Sequence, residues 1–177
     1  MQPGDLIAGD RGARPRLPDD IDRAWDVLNG VMDPEVPVVS VVDLGIVRSV
    51  DWQDGHLHLV ITPTYSGCPA TEVIEHDINH ALSKAGFCSP LLETRLAPAW
   101  SSDWISEEGR ERLRVYGIAP PVGSASKRSL IGDLPSVACP VCGSEHTERI
   151  SEFGSTACKA FYRCRDCLEP FDYFKCI

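Results

Sequence analysis

The sequence predicts an α/β (α+β) fold in which a small mixed sheet is packed with helices and followed by a compact, metal-clipped ribbon. Three observations carry that prediction. Apolar residues recur at helical spacing over 21–32 and again over 70–85, two alternating runs flank Gln53, Asp54 and Gly55, and two C-x-x-C pairs stand near the C-terminus.

Residues 1–18 mix Gly, Pro, Arg and Asp without periodicity and are expected to form a flexible N-terminal arm. The first helix is read from Ile21, Ala24, Trp25, Leu28, Val31 and Met32, with Asp19 or Asp20 as its cap and Pro34 closing it. Strands over 46–52 and 56–63 form a hairpin about the Asp54-Gly55 turn. The second turns Leu57, Leu59 and Ile61 inward and leaves His56, His58 and Val60 on the solvent face. A second helix covers 70–85, with Pro69 at its favoured first position and Gly86 as its stop. A third strand over 91–96 and a helix over 106–116 follow, the helix acidic at its start and ending at Gly117. Residues 118–135 hold Pro120, Pro121, Gly123 and several serines without a period, and read as a linker. The expected organisation is therefore an α/β domain over 19–117 and a second unit over 136–177.

Charge and composition narrow the class. A net charge of −9 disfavours nonspecific nucleic-acid binding, although Lys and Arg near the C-terminal cysteines leave a local basic face open. No apolar run approaches the roughly 20 residues needed to span a bilayer, and the N-terminus lacks the apolar core of a secretory signal, so a cytoplasmic protein without membrane contact is expected.

Six of the eight cysteines follow residue 138, and four of them form Cys139-Pro-Val-Cys142 and Cys164-Arg-Asp-Cys167, separated by twenty-one residues. Each C-x-x-C turn presents two thiolates to one ion, and the short strands expected at 148–150 and 160–162 are too small to be stable without it. Zinc is the expected ion; an iron-sulfur cluster or two disulfides are the alternatives. Cys158 and Cys176 exceed what one four-coordinate site uses. They are either buried apolar thiols or accessory thiols for metal or persulfide handling.

Cys68 stands where a strand ends in a hydroxyl- and Gly-rich turn and a helix begins. Free amides and the helix dipole favour a thiolate there, as do the hydroxyls of Thr64 and Ser66, which makes Cys68 the candidate for chemistry; a small capping cysteine is the plain alternative. Asp33, Glu35 and Asp43 sit beside Pro or Gly, where carboxylates commonly satisfy turn amides, and their convergence on Cys68 is an expectation to be tested. His76 and His80 lie four apart on one helical face without an evident third ligand. Trp100 and Trp104, with polar spacers between them, either cover the core or anchor a partner.

The run Asp33-Pro-Glu-Val-Pro37, then Asp43-Leu-Gly-Ile46, then residues 62–69 resembles the MIP18 family, also called DUF59: small α/β proteins associated with iron-sulfur assembly, whose reactive cysteine matches Cys68. With residues 98–106, Tyr116-Gly-Ile-Ala-Pro-Pro121 and the C-terminal ribbon added, residues 20–177 resemble the PaaD (PaaJ) family of phenylacetate degradation, which is encoded with the phenylacetyl-CoA epoxidase components.

The resemblance implies a MIP18-like sheet and a non-enzymatic maturation factor for that epoxidase, aiding insertion of an iron-sulfur or other metal centre. It makes Cys68 the functional thiol, in contact with a transient cluster, iron or a client. Asp33, Glu35, Asp43, Leu44 and Gly45 would shape its site, with Thr62, Thr64, Ser66 and Pro69 as the supporting motif. One structural zinc would sit on the four ribbon cysteines. The implied partners are the epoxidase components, especially the iron-sulfur reductase, and iron-sulfur assembly machinery; a homodimer would let two copies of Cys68 bridge one cluster. The alternative is a stable non-catalytic subunit or adaptor that binds through Trp100, Trp104 and the ribbon without handling iron. A thiol enzyme lacks an evident base for Cys68.

Overall fold

The computed structural model describes residues 16–122 and 136–175. Helix α1 spans Asp20–Asn29, strands β1 and β2 span Val47–Gln53 and His56–Ile61, helix α2 spans Thr71–Lys84 and strand β3 spans Leu91–Thr94. A 3-10 turn at Ser102–Trp104 leads into α3, Glu107–Tyr116. Strand β4 is Ile118–Ala119, and the cysteine-rich unit contributes β5 Thr147–Ser151, β6 Lys159–Cys164 and β7 Pro170–Phe174.

The first sheet has the order β1-β2-β3, with β1 antiparallel and β3 parallel to the central β2. Helices α1 and α2 cover it through Ala24, Leu28, Ile74, Ile78 and Leu82, all buried with Leu57, Leu59 and Ile61 of β2 in one core. Side chains on the second face of β2 are covered as well. His56 and Val60 are buried and His58 half-buried against Glu93, which corrects the expected solvent face.

Helix α1 stops at Asn29, short of the expected Met32. Gly30 and Val31 donate back only three residues, to Val27 and Leu28, and Met32 instead bridges to Ser40. Glycine is a poor helix former, so the apolar period outlasts the helix. Pro69 likewise lies in a turn two residues before α2 and is not its first residue.

The second sheet has the order β4-β7-β6-β5. The expected linker at 118–135 needs correction at its start, because Ile118 and Ala119 pair in parallel with Asp172 and Tyr173 of β7. Two residues carry too little periodicity to be read as a strand. The N-terminal arm up to residue 15 and the linker from 123 to 135 lie outside the described residues. The ribbon is not a detached appendage: Cys158 and Phe174 are buried in the core of the α/β domain. No helix among the described residues is long and apolar enough to cross a membrane.

Candidate functional site

The ribbon site is built by two tight turns. Cys139 accepts from Gly143 and donates to Ser144, with Gly143 at φ +76°, and the Cys164 amide donates to Glu169. All four sulfurs of Cys139, Cys142, Cys164 and Cys167 lie within 4.8 Å of one another, with Cys139–Cys167 at 3.7 Å and Cys142–Cys164 at 3.6 Å. Disulfide sulfurs stand at about 2.05 Å, so the quartet is not two disulfides. A tetrahedron with metal–sulfur bonds of about 2.3 Å places its sulfurs about 3.8 Å apart, which these distances match. The amides of Cys167 and Asp166 pull the Cys164 thiol down to about 6, while burial and the neighbouring sulfurs push Cys167 up to about 12 and raise Cys142. Beneath the site Ala119, Val137, Ala160, Tyr162, Phe171 and Tyr173 form a small core of their own.

A second site lies where the ribbon meets the α/β domain. The backbone leaving β2 turns through residues 62–70; the Cys68 amide donates to the Tyr65 carbonyl, and the Cys68 carbonyl accepts from Thr71 at the start of α2. Cys68 opens on an apolar cavity of about 10 Å³ whose walls include Asp33, Glu35, Thr64, Cys158 and Phe174. Asp33 accepts the amides of Glu35 and Val36, both at 2.8 Å, and so fixes the turn that carries Glu35 into the wall. Burial holds the Asp33 carboxyl above its ordinary value, against the opposing pull of those two amides. Tyr65 is pushed up to about 12, first by burial and then by Cys68, Glu35 and Cys158 beside it.

Of the residues expected around Cys68, the cavity brings together Asp33, Glu35, Leu44 and Thr64. Thr62 is buried nearby, its amide tied to Ile46, whereas Ser66 and Pro69 are exposed, and none of these three lines the cavity.

Asp43 and Gly45 also stand apart from it and hold the fold. Asp43 accepts from the Ser40 amide at 3.0 Å, from Ser106 at 3.0 Å and from Arg112 at 2.8 Å, clasping the loop to the start of α3. Gly45, at φ +64°, lies so close to Trp104 that a Cβ would stand 2.7 Å from its backbone oxygen.

Trp100 is 3% exposed and donates to the Leu44 carbonyl, so it belongs to the core and is not a surface anchor. Trp104 is half-buried, with the Arg48 guanidinium 3.4 Å above its ring. A bulge between Val47 and Ser49 sets Arg48 in that position. His76 and His80 stack at 6.4 Å, and no group of three metal-ligating side chains among the described residues includes them.

Cys158 is the residue whose place the sequence left open. It is buried, 3.0 Å from the Thr156 hydroxyl, and its sulfur is 3.8 Å from a Glu35 carboxylate oxygen. The surplus of cysteines over one metal site was the only local signal for it. Cys176 lies outside the described residues.

Comparison with known proteins matches two segments of the chain. Residues 21–86 match the family model described as an iron-sulfur cluster assembly protein, and residues 123–175 match the PaaD zinc beta ribbon domain. The chain is 49% identical over 160 residues, 90% of its length and 95% of the relative's, to the "Putative 1,2-phenylacetyl-CoA epoxidase" subunit of Escherichia coli (strain K12). It is 36% identical over 89 residues, 49% of its length and 84% of the relative's, to an Fe-S protein maturation auxiliary factor of Porphyromonas gingivalis (strain ATCC BAA-308 / W83). Among solved structures, a DUF59 domain of unknown function from Bacillus anthracis superposes with a TM-score of 0.50 at 26% identity, covering 53% of this chain and 91% of that one.

Proposed function

The chain belongs to the PaaD family, that of the Escherichia coli epoxidase protein, and on that premise we propose that it is an accessory maturation factor for the multicomponent phenylacetyl-CoA epoxidase, with Cys68 as its working thiol. The observation that carries the reading is the position of Cys68. It opens on a mostly apolar cavity, within the segment matched by the iron-sulfur assembly model. In this reading iron or an iron-sulfur centre is cargo that passes through the site, and the epoxidation belongs to other subunits. Cys68 contacts the cargo or the client, and Asp33 braces the turn that carries Glu35. The apolar walls formed by Val36, Leu44, Ile46, Ile61 and Phe174 limit water at the thiol.

One structural zinc is assigned to the ribbon quartet, where it would lock the two knuckles and supply no chemistry. The knuckle tips expose Val141 and Leu168, apolar side chains that suit docking of a client such as the iron-sulfur reductase. The assigned compartment is the cytoplasm, which keeps thiols such as Cys68 reduced. A stable structural role within the epoxidase complex is the second reading, favoured by the name of the Escherichia coli relative, and it predicts fixed stoichiometry on copurification with the epoxidase.

Anaerobic reconstitution of the apo-reductase with iron and sulfide separates the two. Wild type is expected to speed recovery of activity, and Cys68→Ala is not. Equal recovery with both proteins removes cluster handling from the assignment.

A further inference from the structure

We infer that Cys158 is a second ligand in the Cys68 cavity, so that the working site takes a single thiophilic divalent cation between the α/β domain and the ribbon, with Glu35 as its carboxylate. This rests on the reading of Cys68 as the working thiol and adds what the ribbon contributes to it.

Cys158 lies at the edge of the apolar core, yet it has polar partners that a thiol acting only as a small hydrophobe lacks. It has a hydroxyl at 3.0 Å, a carboxylate at 3.8 Å and a share in the same cavity as a second thiol. The groups at that cavity are acidic: Asp33, Glu35, Cys68 and Cys158, with Tyr65 beside them. Among the described residues the buried cation near them is Lys159, which stands 3.8 Å from Asp172 and whose charge also reaches Asp33 and Cys158. A divalent ion entering such a set brings positive charge to two thiols and a carboxylate that share one cavity.

Size selects a lone ion over a preassembled cluster, because about 10 Å³ is room for roughly one water-sized body. Among the described residues only the ribbon quartet already holds three or more ligand atoms within 4.8 Å of one another. The Cys68 set therefore closes by side-chain rotation, as befits a site that loads and releases. Binding converts two thiols to two thiolates: two S–H bonds break, two sulfur–metal bonds form, two protons leave and no electron moves.

The ribbon has the means to present this thiol firmly. Cys158 immediately precedes β6, its carbonyl accepts the Lys175 amide at 2.9 Å, and β6 ends on the zinc-site residue Cys164. Six residues of strand span about 20 Å, so one rigid strand joins the structural metal site to the proposed cation site.

The test is anaerobic titration of the zinc-loaded full chain with Co²⁺, following sulfur-to-cobalt charge transfer, released protons and retained zinc. Wild type is expected to bind one Co²⁺ beyond its zinc. Cys158→Ser and Glu35→Gln should keep the zinc and the thermal transition, yet weaken Co²⁺ by at least about tenfold, with Cys158→Ser also losing about half of the charge-transfer intensity because one thiolate of two is gone. A wild-type spectrum and affinity in zinc-retaining Cys158→Ser would overturn the proposal and leave Cys68 acting alone. No Co²⁺ bound beyond the zinc in wild type would overturn it too, whereas the reductase reconstitution with Cys68→Ala independently decides the working-thiol reading.

Discussion

The ring of Phe174, on the last strand of the ribbon, lies 6.1 Å from the ring of Trp100 in the α/β domain, and the two side chains are 1% and 3% exposed. The two units therefore share a core. Phe174→Ala should cost about 3–5 kcal/mol, the usual range for emptying a buried aromatic site. Wild type should unfold in one transition, with tryptophan fluorescence and far-ultraviolet circular dichroism coinciding. Two resolved transitions in the zinc-loaded protein would mean that the contact does not couple the units.

Gly45 tests the division between holding the fold and serving the site. Its φ of +64° and the 2.7 Å approach of any added Cβ to Trp104 leave no room for a side chain. Gly45→Ala is expected to lose about 2–4 kcal/mol from left-handed strain and overpacking together. Urea denaturation measures this, and a loss below about 1 kcal/mol would show that the loop relaxes freely.

Asp43 and Glu35 should behave as opposites. Asp43→Ala leaves the buried Ser40 amide without its acceptor, and about 1–3 kcal/mol of stability is expected to go. Glu35 is half-buried, and its only described contact of this kind is the Cys158 sulfur. Glu35→Gln should therefore leave the denaturation midpoint in place, and the pair of midpoints measured under one condition decides the matter.

The Asp33 carboxyl makes a pH-dependent contribution whose sign follows from its direction of shift. Burial raises it above 3.8, so the folded chain holds that proton more tightly than the unfolded one. The associated stability is full below 3.8 and is lost as pH rises through the folded value. Asp33→Asn keeps an oxygen for the Glu35 and Val36 amides and has no proton to lose. Without added metal, it should flatten the fall in thermal stability above that pH and be at least as stable as wild type near neutrality. A less stable variant at neutral pH would mean that the charge itself is needed.

Metal counting separates the two cysteine sites. Native mass spectrometry is expected to find one zinc per chain in wild type, Cys68→Ala and Cys158→Ser, and none in Cys139→Ser. A zinc-free Cys158→Ser would place Cys158 among the ribbon ligands, against the quartet geometry.

Much of this was legible in the sequence because it is encoded locally. Helix α2 follows the spacing of four that joins Ile74, Ile78 and Leu82, α3 carries its own cap in Ser106 and its stop in Gly117, and the hairpin turns at Asp54 and Gly55. The shortfalls came where nonlocal packing overrode a period. Val31 is buried outside any helix, His56 is buried on a face read as solvent, and Ile118 and Ala119 become a strand only because β7 is there to pair with them. Asp33 and Asp43 look equivalent as carboxylates in turns, yet one lines the cavity and the other clasps α3.

The sequence by itself determined the two knuckles, their tetrahedral sulfur set and the thiol ahead of α2, since each depends on spacings of a few residues that backbone geometry converts directly into position. Only the tertiary structure decided that Cys158 faces Glu35 across 123 residues of chain. Burying Phe174 against Trp100 seats the ribbon on the domain, and no local period in either segment carries that information.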